Sequence, residues 1–348
     1  MNTQAQGQFQ SERDRLIQAL GRILDGGILE AIRHVGSTSV PDMYGSPCVD
    51  IGLAVWPFPL EAGPKSRLEA LGYQNVSGYE EAPEQRFRHE SDSFQLHFIE
   101  SGHPKWFDLL AVWDYLRHDR AAREEVSLKK RGGAADKSQL FEELLPAAHQ
   151  WWITHYQFSP VETTVHELKD ASFPWFISSG WALDLFLGQV HRVHHDVDVV
   201  VPRTAQMELR GHLLERGWKL FTPFEKRLEP WPPHMWLELP RHQVHAHRED
   251  EFLDFLITEM DGVWKYRREP SVIRSLEKIG MITESGIPYL APELALLFKS
   301  KNTSNRERPK DALDFERTLP HLDAERRAWL RWALTAVSPD HPWIPKLT

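Results

Sequence analysis

The segment Asp196-Val197-Asp198-Val199-Val200-Val201 constrains this chain more than any other. β-Branched residues favour extended backbone and Pro202 closes the run, so residues 197–201 read as a strand. Alternate side chains of a strand share a face. Val197, Val199 and Val201 therefore turn into a core, while Asp196 and Asp198 project together on the other side. Two carboxylates so close repel each other and cost stability unless a cation or another partner compensates. Mg²⁺ is the natural compensator, because it takes oxygen ligands and is held by one or two carboxylates together with substrate phosphates. A third carboxylate, Asp254, stands inside the apolar run Phe252-Leu253-Asp254-Phe255-Leu256-Ile257, where burying an acid is expensive. If the two strands are neighbours, three carboxylates converge. Two metal ions could then clamp a triphosphate and activate a hydroxyl for in-line attack on phosphorus.

A chain of 348 residues exceeds the size at which one hydrophobic core stops growing, so two domains are expected. The net charge of −9 comes with no long basic block, which argues against a phosphate-tracking surface and makes nucleic acid an unexpected partner. A mildly acidic surface suits a cationic small molecule at least as well. The single cysteine, Cys48, rules out an intramolecular disulfide framework and any cysteine-based zinc site. No signal-like apolar segment opens the sequence and no apolar run approaches the length of a bilayer span, so a cytoplasmic location is expected.

Along the chain, residues 12–25 carry Leu16, Ile17, Leu20 and Leu24 on one helical stripe. Residues 49–55 read as a buried strand closed by Pro57-Phe58-Pro59, residues 95–100 as a second strand, and residues 106–152 as helix interrupted near Gly132-Gly133. Phe158-Ser159-Pro160 is the candidate linker, which sets the expected domains at 1–157 and 158–348. A second α/β series follows: strand 174–178, helix 181–187, strand 197–201, and a helix capped by Thr204. Strands are expected at 244–247, 252–257 and 271–276, and helices at 292–300, 310–319 and 324–336. The fold class is thus α/β (α+β), and the shared layout of the halves suggests two copies of one fold.

Several side chains qualify the carboxylate site. Ser178-Ser179-Gly180 ends a strand and opens a helix, where backbone N–H groups can hold a phosphate. Lys299 and Lys301 end the helix beginning at Pro292, within reach of phosphates. His191-Arg192-x-His194-His195 invites a zinc reading, but without cysteine a place near phosphates or in a solvated loop is preferred. Trp231-Pro232-Pro233-His234-Met235-Trp236 could line an acceptor pocket or pack as a loop. Trp329, Trp332 and Ala333 fall at helical spacing and read as core.

Ser179-Gly180-Trp181-Ala182-Leu183-Asp184-Leu185-Phe186-Leu187-Gly188, followed by Arg192-x-His194-x-Asp196-x-Asp198, resembles the signature of the aminoglycoside 2''-adenylyltransferase-like nucleotidyltransferases. The resemblance continues through Leu253-Asp254-Phe255, Trp264-x-Tyr266-Arg267-Arg268, Tyr289-Leu290-Ala291-Pro292-Glu293, Lys299 and Arg308-Pro309-Lys310-Asp311-x-x-Asp314-Phe315. It covers residues 165–335. The resemblance implies that Asp196 and Asp198 bind Mg²⁺, that Asp254 is a further ligand or the base, and that Ser179 and Gly180 line the triphosphate of ATP with help from Lys299. The family usually has Gly-Gly before the Trp, and the first position here is Ser179.

In the first half, His34-Val35-Gly36-Ser37-Thr38-Ser39-Val40-Pro41 with Pro47-x-x-Asp50-Ile51 resembles the GrpB family, also assigned to the nucleotidyltransferase fold. Leu96-His97-Phe98, Asp114-Tyr115-Leu116-Arg117 and Leu128-Lys129 extend it over residues 10–155. By this resemblance Gly36 and Ser37 form the phosphate-side turn and Asp50 the first carboxylate. Gly52 leaves no same-face partner for Asp50, so a binding module or a remnant is expected here rather than an active transferase. The combined expectation is two tandem nucleotidyltransferase-fold domains, the second moving AMP from ATP to a hydroxyl of a small, aminoglycoside-like acceptor. Transfer to a macromolecule such as tRNA or a toxin protein, or a non-catalytic nucleotide-binding regulator, are the alternatives.

Overall fold

The computed structural model describes residues 3–22, 27–77, 83–132, 137–194, 196–225, 227–248, 251–300 and 309–348. The chain divides into two compact units, Met1–His155 and Tyr156–Thr348. Phe158-Ser159-Pro160 is not an open linker. Ser159 begins a helix with Pro160 in its first turn, where the missing N–H and fixed φ of proline suit a helix start.

Unit 1 comprises α1 (Thr3–Leu20), β1 (Leu29–Val35), β2 (Val49–Val55), α2 (Ala62–Ala70), β3 (Tyr73–Asn75), β4 (Glu84–His89) and β5 (Phe94–Glu100), then α3 (Pro104–His118), α4 (Arg120–Arg131) and α5 (Lys137–Tyr156). Its five strands run in the order β1-β2-β5-β4-β3, with only β2 and β5 parallel. Period-two alternation splits β2 between two cores. Val49, Ile51, Leu53 and Val55 pack with Leu16 and Leu20 of α1 and Leu68 of α2. Ala54 packs on the other side with Trp106 and Leu109 of α3. Gly133 lies outside the described residues.

Unit 2 comprises α6 (Ser159–Leu168), β6 (Phe176–Ile177), α7 (Ser179–Leu187), β7 (Asp198–Pro202), α8 (Gln206–Glu215), β8 (Lys219–Phe224), β9 (Arg227–Pro230), β10 (Gln243–Arg248) and β11 (Glu251–Asp261). It continues through β12 (Val263–Lys265), β13 (Ile273–Ser275), β14 (Gly280–Ile282), β15 (Pro288–Leu290), α9 (Pro292–Lys299), α10 (Pro309–Thr318) and α11 (Ala324–Val337). The main sheet runs β14-β15-β6-β7-β11-β10-β8-β9. The succession β1-β2-α2-β3-β4-β5 recurs as β6-β7-α8-β8-β10-β11, with the same neighbours and the same single parallel pair at the centre, here β7 with β11. Both units are mixed α/β, and helices close the chain.

Two local expectations fail. Thr204 caps nothing: it lies in a 3₁₀ turn, Arg203–Ala205, whose carbonyl at Arg203 accepts from the Gln206 side chain. Trp332 is 47% exposed while Ala333 is fully buried, because the packed face of α11 runs through Leu330, Ala333 and Leu334 instead.

Candidate carboxylate site in unit 2 and its counterpart in unit 1

The parallel register of β7 and β11 sets Asp198 directly beside Asp254. Asp196 lies just before β7, and its carbonyl accepts a hydrogen bond from the indole of Trp181 at 2.9 Å. One oxygen from each of Asp196, Asp198 and Asp254 lies within 4.8 Å of the others. The expected convergence is therefore present. Burial and the charge of Asp196 push the Asp198 carboxyl up to about 7, against a hydrogen bond from Ser179 and the fields of Lys299 and Lys310. Asp196, the most exposed of the three, is also raised by desolvation, opposed by Lys310, Arg192 and Lys299. Asp196 and Asp198 thus gain from a cation. A Mg²⁺ ion with ligands at about 2.1 Å spans oxygens up to about 4.2 Å apart. A small inward movement of the side chains suits the set to such an ion, and its all-oxygen donor chemistry fits as well.

The Ser178-Ser179-Gly180 turn lies beside these acids. The Ser178 N–H donates to the Asp198 carbonyl at 2.8 Å. Ser179 opens α7 at φ 56°, in the left-handed region that favours glycine. That accounts for the family's glycine at this place; here a serine adopts the same backbone and its side chain bonds Asp198. Gly180 has no room for a side chain. A Cβ there would lie 2.3 Å from the Arg192 guanidinium and 2.4 Å from the His194 ring.

Among the described residues of the His/Arg string, His191, Arg192 and His194 serve as fastenings rather than as a solvated loop. His191 Nδ1 and His194 Nε2 both bond Asp184 of α7, at 3.0 and 2.6 Å. His194 is buried and stacks on Trp181 with ring centroids 4.3 Å apart. Burial, then the charge of Arg192, lowers its pKa to about 4. Arg192 forks onto Asp314 at 3.0 and 2.9 Å. His195 lies outside the described residues, as do Lys301 and Arg308.

Lys299 is buried, its ammonium 3.1 Å from Asp311 and 2.8 Å from Asp314, while its field still reaches Asp196 and Asp198. Lys310, half-buried, acts on the same two carboxylates and was not singled out from sequence. The available signal was its place beside Asp311 in the Arg308-Pro309-Lys310-Asp311 motif.

Past Asp254 the same sheet face turns aromatic. Gln243 Nε2 donates to Asp254 at 2.5 Å, and His245 Nε2 is 3.9 Å from its other oxygen. Sequence reasoning missed both, since a strand read as Gln-Val-His-Ala-His carries no mark of which acid it will flank. In the Trp231–Trp236 string, Trp231 is buried and bonds the Met235 carbonyl at 2.8 Å, whereas Trp236 is 46% exposed.

In unit 1, Gly36 has φ 74° and a Cβ there would fall 2.2 Å from an Asp50 oxygen. Ser37 is buried beside it. Arg117 holds the turn by donating to the His34 carbonyl at 2.6 Å and to Ser39. Register corrects the expected match for Asp50. Asp50 lies opposite Val35, the residue before the positive-φ Gly36, as Asp198 lies opposite Ser178 before Ser179. Asp50 thus occupies the place of Asp198, not of the first carboxylate, and Cys48 that of Asp196. A side chain at Gly52 would meet Trp106 and Leu109 at 3.1 Å, so no second acid fits there.

Asp50 is already compensated. It bonds His97 Nε2 at 3.1 Å, and His97 Nδ1 bonds Glu84 at 2.6 Å, which in turn meets Lys105 at 2.6 Å. Burial alone would lower the His97 pKa, but the bonds and charges of Asp50 and Glu84 outweigh it and raise the pKa to about 9. Glu84 falls to about 2, since His97 and Lys105 overcome its burial.

The family model described as GrpB protein matches residues 1–155, and the one described as Aminoglycoside-2''-adenylyltransferase matches residues 161–317. UPF0157 protein YqkA of Bacillus subtilis (strain 168) is 27% identical over 152 residues; the match covers 41% of this chain and 41% of that relative's length. The crystal structure of conserved protein GrpB from Enterococcus faecalis aligns at 21% identity with TM-score 0.34, covering 41% of this chain and 92% of that one. ANT(2'')-Ia in complex with adenylyl-2''-tobramycin aligns at 16% identity with TM-score 0.37, covering 51% and 96%. Among the described residues no helix is long and apolar enough to cross a membrane. The N-terminal half of the chain thus resembles the GrpB family and the C-terminal half the aminoglycoside-2''-adenylyltransferases, a nucleotidyltransferase family.

Proposed function

We propose that residues 158–348 form a Mg²⁺-dependent nucleotidyltransferase that moves AMP from ATP to a hydroxyl of a small acceptor. The observation that carries this reading is the convergence of Asp198 and Asp254, on two parallel strands, with Asp196 just before the first of them, all within 4.8 Å. The acceptor oxygen attacks the α-phosphorus, the bond to the β-phosphate oxygen breaks, and pyrophosphate leaves with that electron pair. Asp196 and Asp198 would hold the metal, with Asp254 a further ligand or the group that takes the acceptor's proton. Bound Mg²⁺ supplies charge neutralisation on the phosphates. The Ser179-Gly180 turn at the start of α7 offers backbone N–H groups to the triphosphate, and Lys310 and Lys299 add positive potential. The family description favours an aminoglycoside-like acceptor; the chemistry itself asks only for a hydroxyl.

For residues 1–157 we propose a nucleotide- or partner-binding module built on Gly36, Ser37 and Asp50 rather than a second transferase. The test is pyrophosphate release with Mg²⁺, each of the four nucleotides and a panel of hydroxylated acceptors. Release is expected with ATP and is expected to vanish in Asp196→Ala; full activity in that variant would sink the metal assignment. ATP binding with no release under any condition would favour the regulatory alternative.

A further inference from the structure

Beyond Asp254, the site face continues across β11, β10 and β8 as an aromatic patch edged by Lys219. His245 stands opposite both Asp254 and Phe221, and His247 opposite Phe252. The rings touch in series: His245 on Phe252 with centroids 5.1 Å apart, His247 on Phe252 at 5.0 Å, and Phe221 on His247 at 5.6 Å. Phe221 and His247 form a buried floor, while Phe252 and His245 remain partly open. His247 is only 3% exposed, and its Nε2 has no hydrogen-bond partner among the described residues. A buried polar atom in that state carries a desolvation cost that a ligand could relieve.

Resting on the transferase reading, we propose that this patch is the acceptor subsite and that it takes a flat, uncharged hydroxylated compound rather than a polycation. A polycation carries several ammonium groups and needs several carboxylates to offset them. Among the described residues on this face of β7, β11, β10 and β8, the carboxylates are Asp198 and Asp254, already assigned to metal and proton. A ring on Phe252 and His245 would instead gain face and edge contacts, with its hydroxyl directed toward Asp254.

The test is calorimetric titration of the full chain, with Mg²⁺ and α,β-methylene-ATP present, against phenyl β-glucoside, methyl β-glucoside and tobramycin. The phenyl compound is expected to bind about tenfold tighter than the methyl compound, and tighter than tobramycin. Phe252→Leu, which keeps apolar volume and removes the ring, is expected to erase that preference. His247→Phe is expected to weaken the phenyl compound severalfold. Equal binding of the two glucosides, or tighter binding of tobramycin, would overturn the proposal. An aromatic preference without pyrophosphate release from any acceptor would uphold the subsite and overturn the transferase reading.

Discussion

The two units build their central parallel pair alike and then charge it in opposite ways. In unit 1, Asp50 of β2 meets His97 of β5, and the row Asp50-His97-Glu84-Lys105 alternates in sign until it is neutralised from within. In unit 2, Asp198 of β7 meets Asp254 of β11, with Asp196 alongside, and like charges face one another. A buried imidazolium does in the first unit what a bound cation would do in the second, in addition to the fields of Lys299 and Lys310. A shared strand order therefore predicts a shared place for a site, while the side chain on the neighbouring strand decides whether that place calls for a metal.

The largest expected effect separates the units by activity. Asp198→Ala should cut pyrophosphate release by about a thousandfold or more, since several kcal/mol of charge stabilisation are lost. Asp50→Ala should leave the same rate unchanged. Comparable losses in both variants would mean that the units share one chemistry.

Next in size is the buried cluster behind the unit 2 site. Lys299→Met removes the buried ammonium that faces Asp311 and Asp314 and should cost about 3–5 kcal/mol in thermal or urea unfolding, although Arg192 still serves Asp314. An unfolding midpoint unchanged from wild type would show that Lys299 is not the structural cation described above.

Unit 1 should carry a pH signature of its own at alkaline pH, above the range in which Asp198 of unit 2 is shifted. The His97 pKa is raised from 6.5 to about 9, so its contribution is fully present below 6.5 and is lost as pH rises through 9. The loss should amount to at most about 3 kcal/mol, read from urea unfolding across that range. His97→Gln should flatten the profile. A wild-type profile already flat from pH 6.5 to 9 contradicts the imidazolium account. Glu84 reports the same interaction from the acid side, where stability falls as pH drops from 4.5 through about 2.

The smallest effect sits at the turn the two units share. Ser179→Gly relieves a left-handed backbone worth about 1 kcal/mol and removes the bond to Asp198, so a net gain of less than about 1 kcal/mol in unfolding is expected. Net destabilisation would mean that the Ser179–Asp198 bond outweighs the strain.

Much of this was legible in the chain itself. Buried strands such as β2 and β7 declare themselves, because burial on both faces leaves a nearly continuous apolar run. Short edge strands such as β3, β9 and β14 left no such record and were not foreseen. His191 and His194 could not be assigned because their common partner, Asp184, enters through the helix turn and not through spacing. The aromatic periodicity of α11 misled at Trp332, since periodicity fixes a helix's stripe only after its neighbours are known.

Asp196 and Asp198 stand two residues apart at the entry to β7, and that spacing brings their carboxylates to one place although the strand itself begins only at Asp198. Sequence alone determined that pair, the two-part α/β organisation and the absence of a second acid at Gly52. Tertiary structure decided the rest: that β11 lies parallel beside β7 so that Asp254 completes the set, that Asp50 matches Asp198, and that Lys299 points at Asp311 and Asp314. Register and pairing are non-local, set by which strands close a sheet together, and no single segment of the chain encodes them.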